Sequence, residues 1–236
     1  MNRRKFIYSS SLASLSVMGL NSCNIRNKDV KITILHTNDV HSQIEPFPFN
    51  HDKYPDRGGF ARRANIFKGL LKINPNTLIF DAGDIFQGTP YFNFFQGDLE
   101  LKLMKKMGYN AATIGNHEFD AGLNRLKKNI LNNNFQFISS NYDFTNTELE
   151  GLISKYKIYK KEGIKIGVFG LGIELNGLVN SSLYKETKYY DPVEITQEMT
   201  DILKNKEKCD LIICISHLGH SYQNTKISDL KLGSLT

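Results

Sequence analysis

The chain has 236 residues and 40% hydrophobic content, which suits one sizeable globular domain, so length does not limit its core. The formal charge of +6 falls to +3 once Arg3, Arg4 and Lys5 are set aside as part of a removable segment, and later lysines alternate with acids (Lys160, Lys161, Glu162; Lys204, Lys206, Glu207, Lys208). No basic stripe with interleaved aromatics remains, which excludes nucleic acid as the expected partner; three cysteines without CxxC or Cys/His spacing exclude a sulfur-held metal.

Residues 1–22 read as an export signal. Arg3, Arg4 and Lys5 open it, and residues 6–20 form an uncharged, serine-rich, mildly apolar stretch. That stretch is shorter and more polar than the ~20 apolar residues of a membrane-spanning helix. The arginine pair before Lys5-Phe6 resembles the twin-arginine type. Leu20-Asn21-Ser22-Cys23 resembles a lipoprotein cleavage box, with Cys23 as the acylated residue. Acyl chains there would hold the protein at a membrane surface, in the periplasm or cell envelope. Residues 23–29 are a linker to one domain over 30–236.

That domain alternates strands and helices. Residues 30–35 are a β-rich run, and residues 58–71 place Phe60, Ala64, Phe67 and Leu71 on one helical face. Residues 77–80 predict a buried strand, 99–107 a helix stopped by Gly108, and 111–114 another strand. A helix over 122–131 and a strand over 136–139 follow. Residues 155–159 and 165–171 predict a hairpin about Glu162-Gly163, 193–206 a helix, and 210–216 a strand in which Cys214 is a buried, inert thiol. This is an α/β pattern without internal repeats.

Polar clusters recur directly after the apolar strands: Asp39-Val40-His41, Gly83-Asp84, Gly115-Asn116-His117 and Ser216-His217. Open α/β sheets bind ligands beyond the carboxyl ends of their strands, so four strands aim ligand-type side chains at one region. Asp39 and His41 offer an oxygen and an imidazole to a borderline divalent ion such as Zn, Mn, Fe or Co. Asp84 has two oxygens and can bridge to a second ion, to which Asn116 and His217 add a carbonyl and an imidazole. Two such ions together polarise a phosphoryl group and activate water. His117 and Asp120 are spaced for an i, i+3 pair in which the carboxylate holds the imidazole in one tautomer, leaving its other nitrogen to stabilise or protonate the leaving oxygen. Each motif taken alone also fits a turn or a helix cap.

Asp39-Val40-His41, Gly83-Asp84 with Gly88, Gly115-Asn116-His117-Glu118-Phe119-Asp120 and Ser216-His217-Leu218-Gly219 resemble the successive motifs of calcineurin-like metallophosphatases. The likeness is closest to the first domain of the bacterial 5′-nucleotidase family, over residues 30–236. The resemblance implies a four-layer α/β/β/α sandwich and hydrolysis of phosphate esters, nucleotides above all. It also implies Asp39 and His41 on one metal, Asp84 bridging, Asn116 and His217 on the other, and His117 with Asp120 as the catalytic pair. The family's later Gly-His-x-His motif has no counterpart before Thr236, so the last strands of the sandwich are expected to be missing. An inactive fragment or binding lipoprotein with an incomplete site, and a cyclic-nucleotide diesterase, are the competing readings. His220 is expected to be a loop histidine. Phe47, Phe49, Tyr91, Phe92, Phe94 and Phe95 are expected to pack or anchor loops rather than wall a pocket, and Arg62 and Arg63 to lie on a helix surface.

Overall fold

A computed structural model describes residues 29–235. Contacts divide the chain into Met1–Val30 and Lys31–Thr236, and the architecture below is that of the second unit. Arg3, Arg4, Cys23 and the rest of the expected signal lie outside the described residues. No described helix is long and apolar enough to cross a membrane.

In chain order the elements begin with β1 (Thr33–Thr37), α1 (Phe60–Ile73), β2 (Thr77–Asp81), α2 (Pro90–Phe95), α3 (Asp98–Met107), β3 (Ala111–Ala112) and α4 (Leu123–Asn133). They continue with β4 (Tyr142–Asp143), β5 (Tyr156–Lys161), β6 (Ile164–Leu171), α5 (Ser181–Tyr184), β7 (Lys188–Tyr189), α6 (Pro192–Asp201), β8 (Leu211–Ser216) and α7 (Asp229–Leu235). Strands β1, β2 and β3 make a parallel sheet in that order. A second sheet runs β5-β6-β8, with β5 antiparallel and β8 parallel to β6. The short β4 and β7 pair with each other.

Parallel strands need apolar cover on both faces, and β2 is buried along its whole length. Ile79 faces one core with Phe67, Leu101, Met104 and Leu126 from the helices. Its neighbours Leu78 and Phe80 face a second core with Ile138, Ile166, Val168 and Ile215. On β6 the alternation repeats: Phe169 and Leu171 turn away to a third core with Ile195, Met199, Leu203 and Leu232. Three apolar seams separate four layers, so the expected α/β/β/α sandwich is the fold. Each large side chain buried in these seams contributes ~1.5–3 kcal/mol.

Several local expectations change. Residues 136–139 do not form a regular strand: Phe137 bridges to Ala112 and Ile138 to Ser154, one pair on each side. The two-residue β3 offers too short a partner for a longer ladder. The helix expected over 193–206 is α-helical only to Asp201 and continues as a wider π turn over Ile202–Lys206. Asp191 caps its start, accepting from the Val193 and Glu194 amides. Cys214, expected buried, is exposed. It lies on β8, which is an edge of its sheet among the described residues, so its flank has no neighbouring strand.

Candidate metal centre

The loops after β1 and β2 run side by side. Asp39 N donates to Gly83 O at 3.0 Å, His41 N to Asp84 O at 3.1 Å, and Ser42 N to Ile85 O at 2.8 Å. Asp39, His41 and Asp84 all have left-handed backbones, with φ of 51°, 44° and 56°. Such angles are uncommon for residues with a Cβ and cluster where surrounding structure enforces them. Glycines allow the close approach. A Cβ on Gly88, at φ +109°, would lie 2.8 Å from His41 O, and one on Gly115 would collide with Asp84 Oδ1.

The donor groups converge on Asp84. Its Oδ2 lies 3.3 Å from His217 Nε2 and 3.9 Å from His41 Nε2, while Oδ1 accepts from the His117 amide at 2.9 Å. His41 Nε2 is also 3.8 Å from Asp39 Oδ1. Donor atoms of Asp39, Asp84 and His217 form one cluster within 4.8 Å, and those of His41, Asp84 and His117 form another. Asp84 belongs to both. Asn116 lines the same open cleft of about 850 Å³ as Asp39, Asp84 and His217. The sequence reading grouped Asp39 with His41; the structure keeps those two in reach of each other but clusters Asp39 with His217, and His41 with His117.

Second contacts orient the imidazoles. His217 Nδ1 sits 2.7 Å from Ala82 O, and a carbonyl only accepts, so Nδ1 carries a proton and Nε2 faces Asp84. His117 Nδ1 likewise donates to Asp120 Oδ2 at 2.7 Å. Burial opposes charge on Asp84, yet His217 outweighs it and holds the carboxyl below the usual range. Burial also opposes charge on His217, but Asp84 more than offsets it and the pKa is pushed up to about 9. The same balance, with Asp120 and Asp84 as the opposing partners, raises His117 above the ordinary histidine value. Nitrogen and oxygen donors without a thiol, gathered about a shared carboxylate, fit divalent ions of the Zn, Mn, Fe or Co type.

The remaining expected residues separate from the centre. His220 is exposed and lines the cleft without joining either donor cluster. Phe92 is buried, whereas Phe49 and Phe94 are 83% and 81% exposed, and none of the six aromatics lines the cleft. Arg62 pairs with Asp56 at 2.7 Å, and Arg63 lies over the Phe60 ring, so both are engaged on the α1 surface.

Two buried carboxylates that sequence reasoning left without a role hold the loops from behind. Asp81 Oδ2 accepts from Thr37 Oγ1 at 2.5 Å and its Oδ1 from Gly83 N at 2.9 Å; Tyr109 extends the network through Thr37. Glu118 accepts from backbone amides on both sides of Asp84. Both acids stood in the two motifs, Asp81 two residues before Gly83 and Glu118 directly after His117, but burial is not visible in a motif.

Fold and donor set together define the class: an α/β/β/α metallophosphoesterase. The chain belongs to the calcineurin-like phosphoesterase family, whose model matches residues 32–232. It is 36% identical over 202 residues to a 5′-nucleotidase of Vibrio cholerae, a stretch that makes up 84% of this chain and 35% of that protein. Among solved structures it superposes on a 5′-nucleotidase precursor of Thermus thermophilus with a TM-score of 0.74 at 32% identity, covering 80% of this chain and 37% of the other. The NAD nucleotidase of Haemophilus influenzae gives 0.72 at 34% identity, over 80% and 39%. The chain thus spans little more than a third of the length of these relatives.

Proposed function

We propose that the protein hydrolyses phosphate esters, with nucleotides as its substrates, at a centre of two divalent ions held by Asp39, His41, Asp84, Asn116 and His217. The observation that carries this reading is the position of Asp84, whose carboxylate belongs to both donor clusters. Two bound ions would polarise the phosphoryl group and lower the pKa of a water nucleophile. Asp84 and the imidazoles set where that charge sits. His117 has Nδ1–H held by Asp120 and, when the ring is protonated, its Nε2–H can stabilise or protonate the leaving oxygen, the ring then remaining as the neutral Nδ1–H tautomer. The names of the relatives, 5′-nucleotidase and NAD nucleotidase, support a nucleotide as the ester. Export and acylation at Cys23 belong to the same reading and rest on the sequence alone.

The test is turnover by the purified chain loaded with Mn, Zn or Co. Release of phosphate from a nucleoside monophosphate, faster than from a cyclic nucleotide, supports the proposal. Metal-loaded protein that leaves both intact, or cleaves only the cyclic ester, overturns it.

A further inference from the structure

Glu118 lies inside the motif that carries Asn116, His117 and Asp120, yet its carboxylate joins neither donor cluster and is fully buried. No lysine or arginine pairs with it among the described residues. Four backbone amides surround it instead. Oε2 accepts from Asp84 N at 2.9 Å and from Gly115 N at 2.6 Å. Oε1 accepts from Ile85 N at 2.7 Å and from Phe86 N at 3.4 Å. A buried charge persists only when such donors replace its water.

Those amides belong to two different loops. Asp84, Ile85 and Phe86 follow β2; Gly115 follows β3 and precedes Asn116. The loops pack so closely that a Cβ on Gly83 would lie 2.7 Å from Gly115 N. Backbone pairing of β3 with β2 runs through Phe80–Ala111, Asp81–Ala112 and the Thr113 N to Asp81 O bond at 2.9 Å and stops short of both loops, which the His117 amide on Asp84 Oδ1 also ties together. Beyond those pairs, Glu118 Oε2 is the group that the Asp84 and Gly115 amides share.

We infer that Glu118 is a positioning residue, whose carboxylate braces the loops after β2 and β3 and so sets the separation of Asp84 from Asn116. The inference rests on the metal-centre reading above. It requires a carboxylate, not merely a polar side chain of that shape. Both oxygens accept two N–H groups each, and a glutamine would turn an NH₂ toward two of those donors.

The experiment compares the full chain with E118Q, and with L126A as a variant destabilised in the helical core. In metal-free protein, hydrogen exchange is followed in peptides covering residues 83–87 and 113–117; Mn²⁺ affinity is measured by calorimetry. E118Q should exchange faster in those two segments alone, and its Mn²⁺ dissociation constant should rise by roughly tenfold or more. L126A should keep the wild-type Mn²⁺ affinity. Unchanged exchange and affinity in E118Q, or an equal loss of affinity in L126A, overturns the inference. If wild type binds no Mn²⁺, the metal-centre reading fails instead, a separate result. Should E118Q not fold, E118D keeps the charge and shortens the reach, with the same outcomes expected; failure of both to fold overturns a positioning role in favour of a purely structural one.

Discussion

The His117 ring donates through Nδ1 to Asp120 Oδ2 at 2.7 Å, three residues along a tight turn. A carboxylate only accepts, so the proton is fixed on Nδ1 and Nε2 is the nitrogen left for chemistry. Replacing His117 by alanine should lower turnover of a phosphate ester by ~10²–10⁴-fold while metal content stays at the wild-type level. D120N should lose less, since the imidazole remains. The check is steady-state kinetics beside elemental analysis of the same samples. Loss of metal in H117A would move His117 from acid catalyst to ligand.

Asp84 is the residue both donor clusters share. D84N should therefore lose more bound metal than H41A or H217A, each of which removes a donor from one cluster only. Elemental analysis after dialysis against a weak chelator measures this. Equal retention in all three variants would mean that Asp84 does not bridge.

Gly88 permits the backbone of His41 to pass close by. Alanine there would have to adopt φ +109° with its Cβ 2.8 Å from His41 O and 2.9 Å from His41 Cβ. G88A should cost roughly 1–3 kcal/mol of stability from backbone strain, with further loss as His41 is displaced. A urea midpoint unchanged from wild type would show that the loop adapts freely.

Asp81 predicts a pH effect in metal-free protein. Burial, chiefly, pushes its pKa from 3.8 up to about 7, with the Thr37 bond pulling the other way and the charge of Glu118 adding. The folded state then binds more protons than the unfolded one between those values. The contribution of Asp81 is present at low pH and is lost as pH rises toward 7. D81N does not titrate, so its stability relative to wild type should rise by up to about 4 kcal/mol between about pH 4 and about pH 8. Urea titrations across that range measure the difference, and a flat difference would remove Asp81 as the titrating group.

Much of this site was legible because strand ends are local. An apolar run followed by Asp39-Val40-His41, or by Asp81-Ala82-Gly83-Asp84, announces both the strand and the loop beyond it. The spacing of His117 and Asp120 needed only one turn of chain to become a hydrogen bond. Helices α1, α3 and α4 were visible for the same reason, since their apolar faces repeat within a few residues. Residues 136–139 misled because a β-rich run states a preference, while a ladder needs a partner of equal length.

The sequence by itself determined the donor types, their order and the strands that carry them, because these follow from short-range periodicity and turn chemistry. The tertiary structure alone decided which donors meet. His217 comes from β8 in one sheet and Asp84 from beyond β2 in the other, and the 3.3 Å between them exists only because a shared apolar core presses the sheets together. It also decided that Glu118 and Asp81 are buried behind the loops while Cys214 is exposed at an edge. Burial is set by what packs against a residue from distant parts of the chain, and no local pattern carries that information.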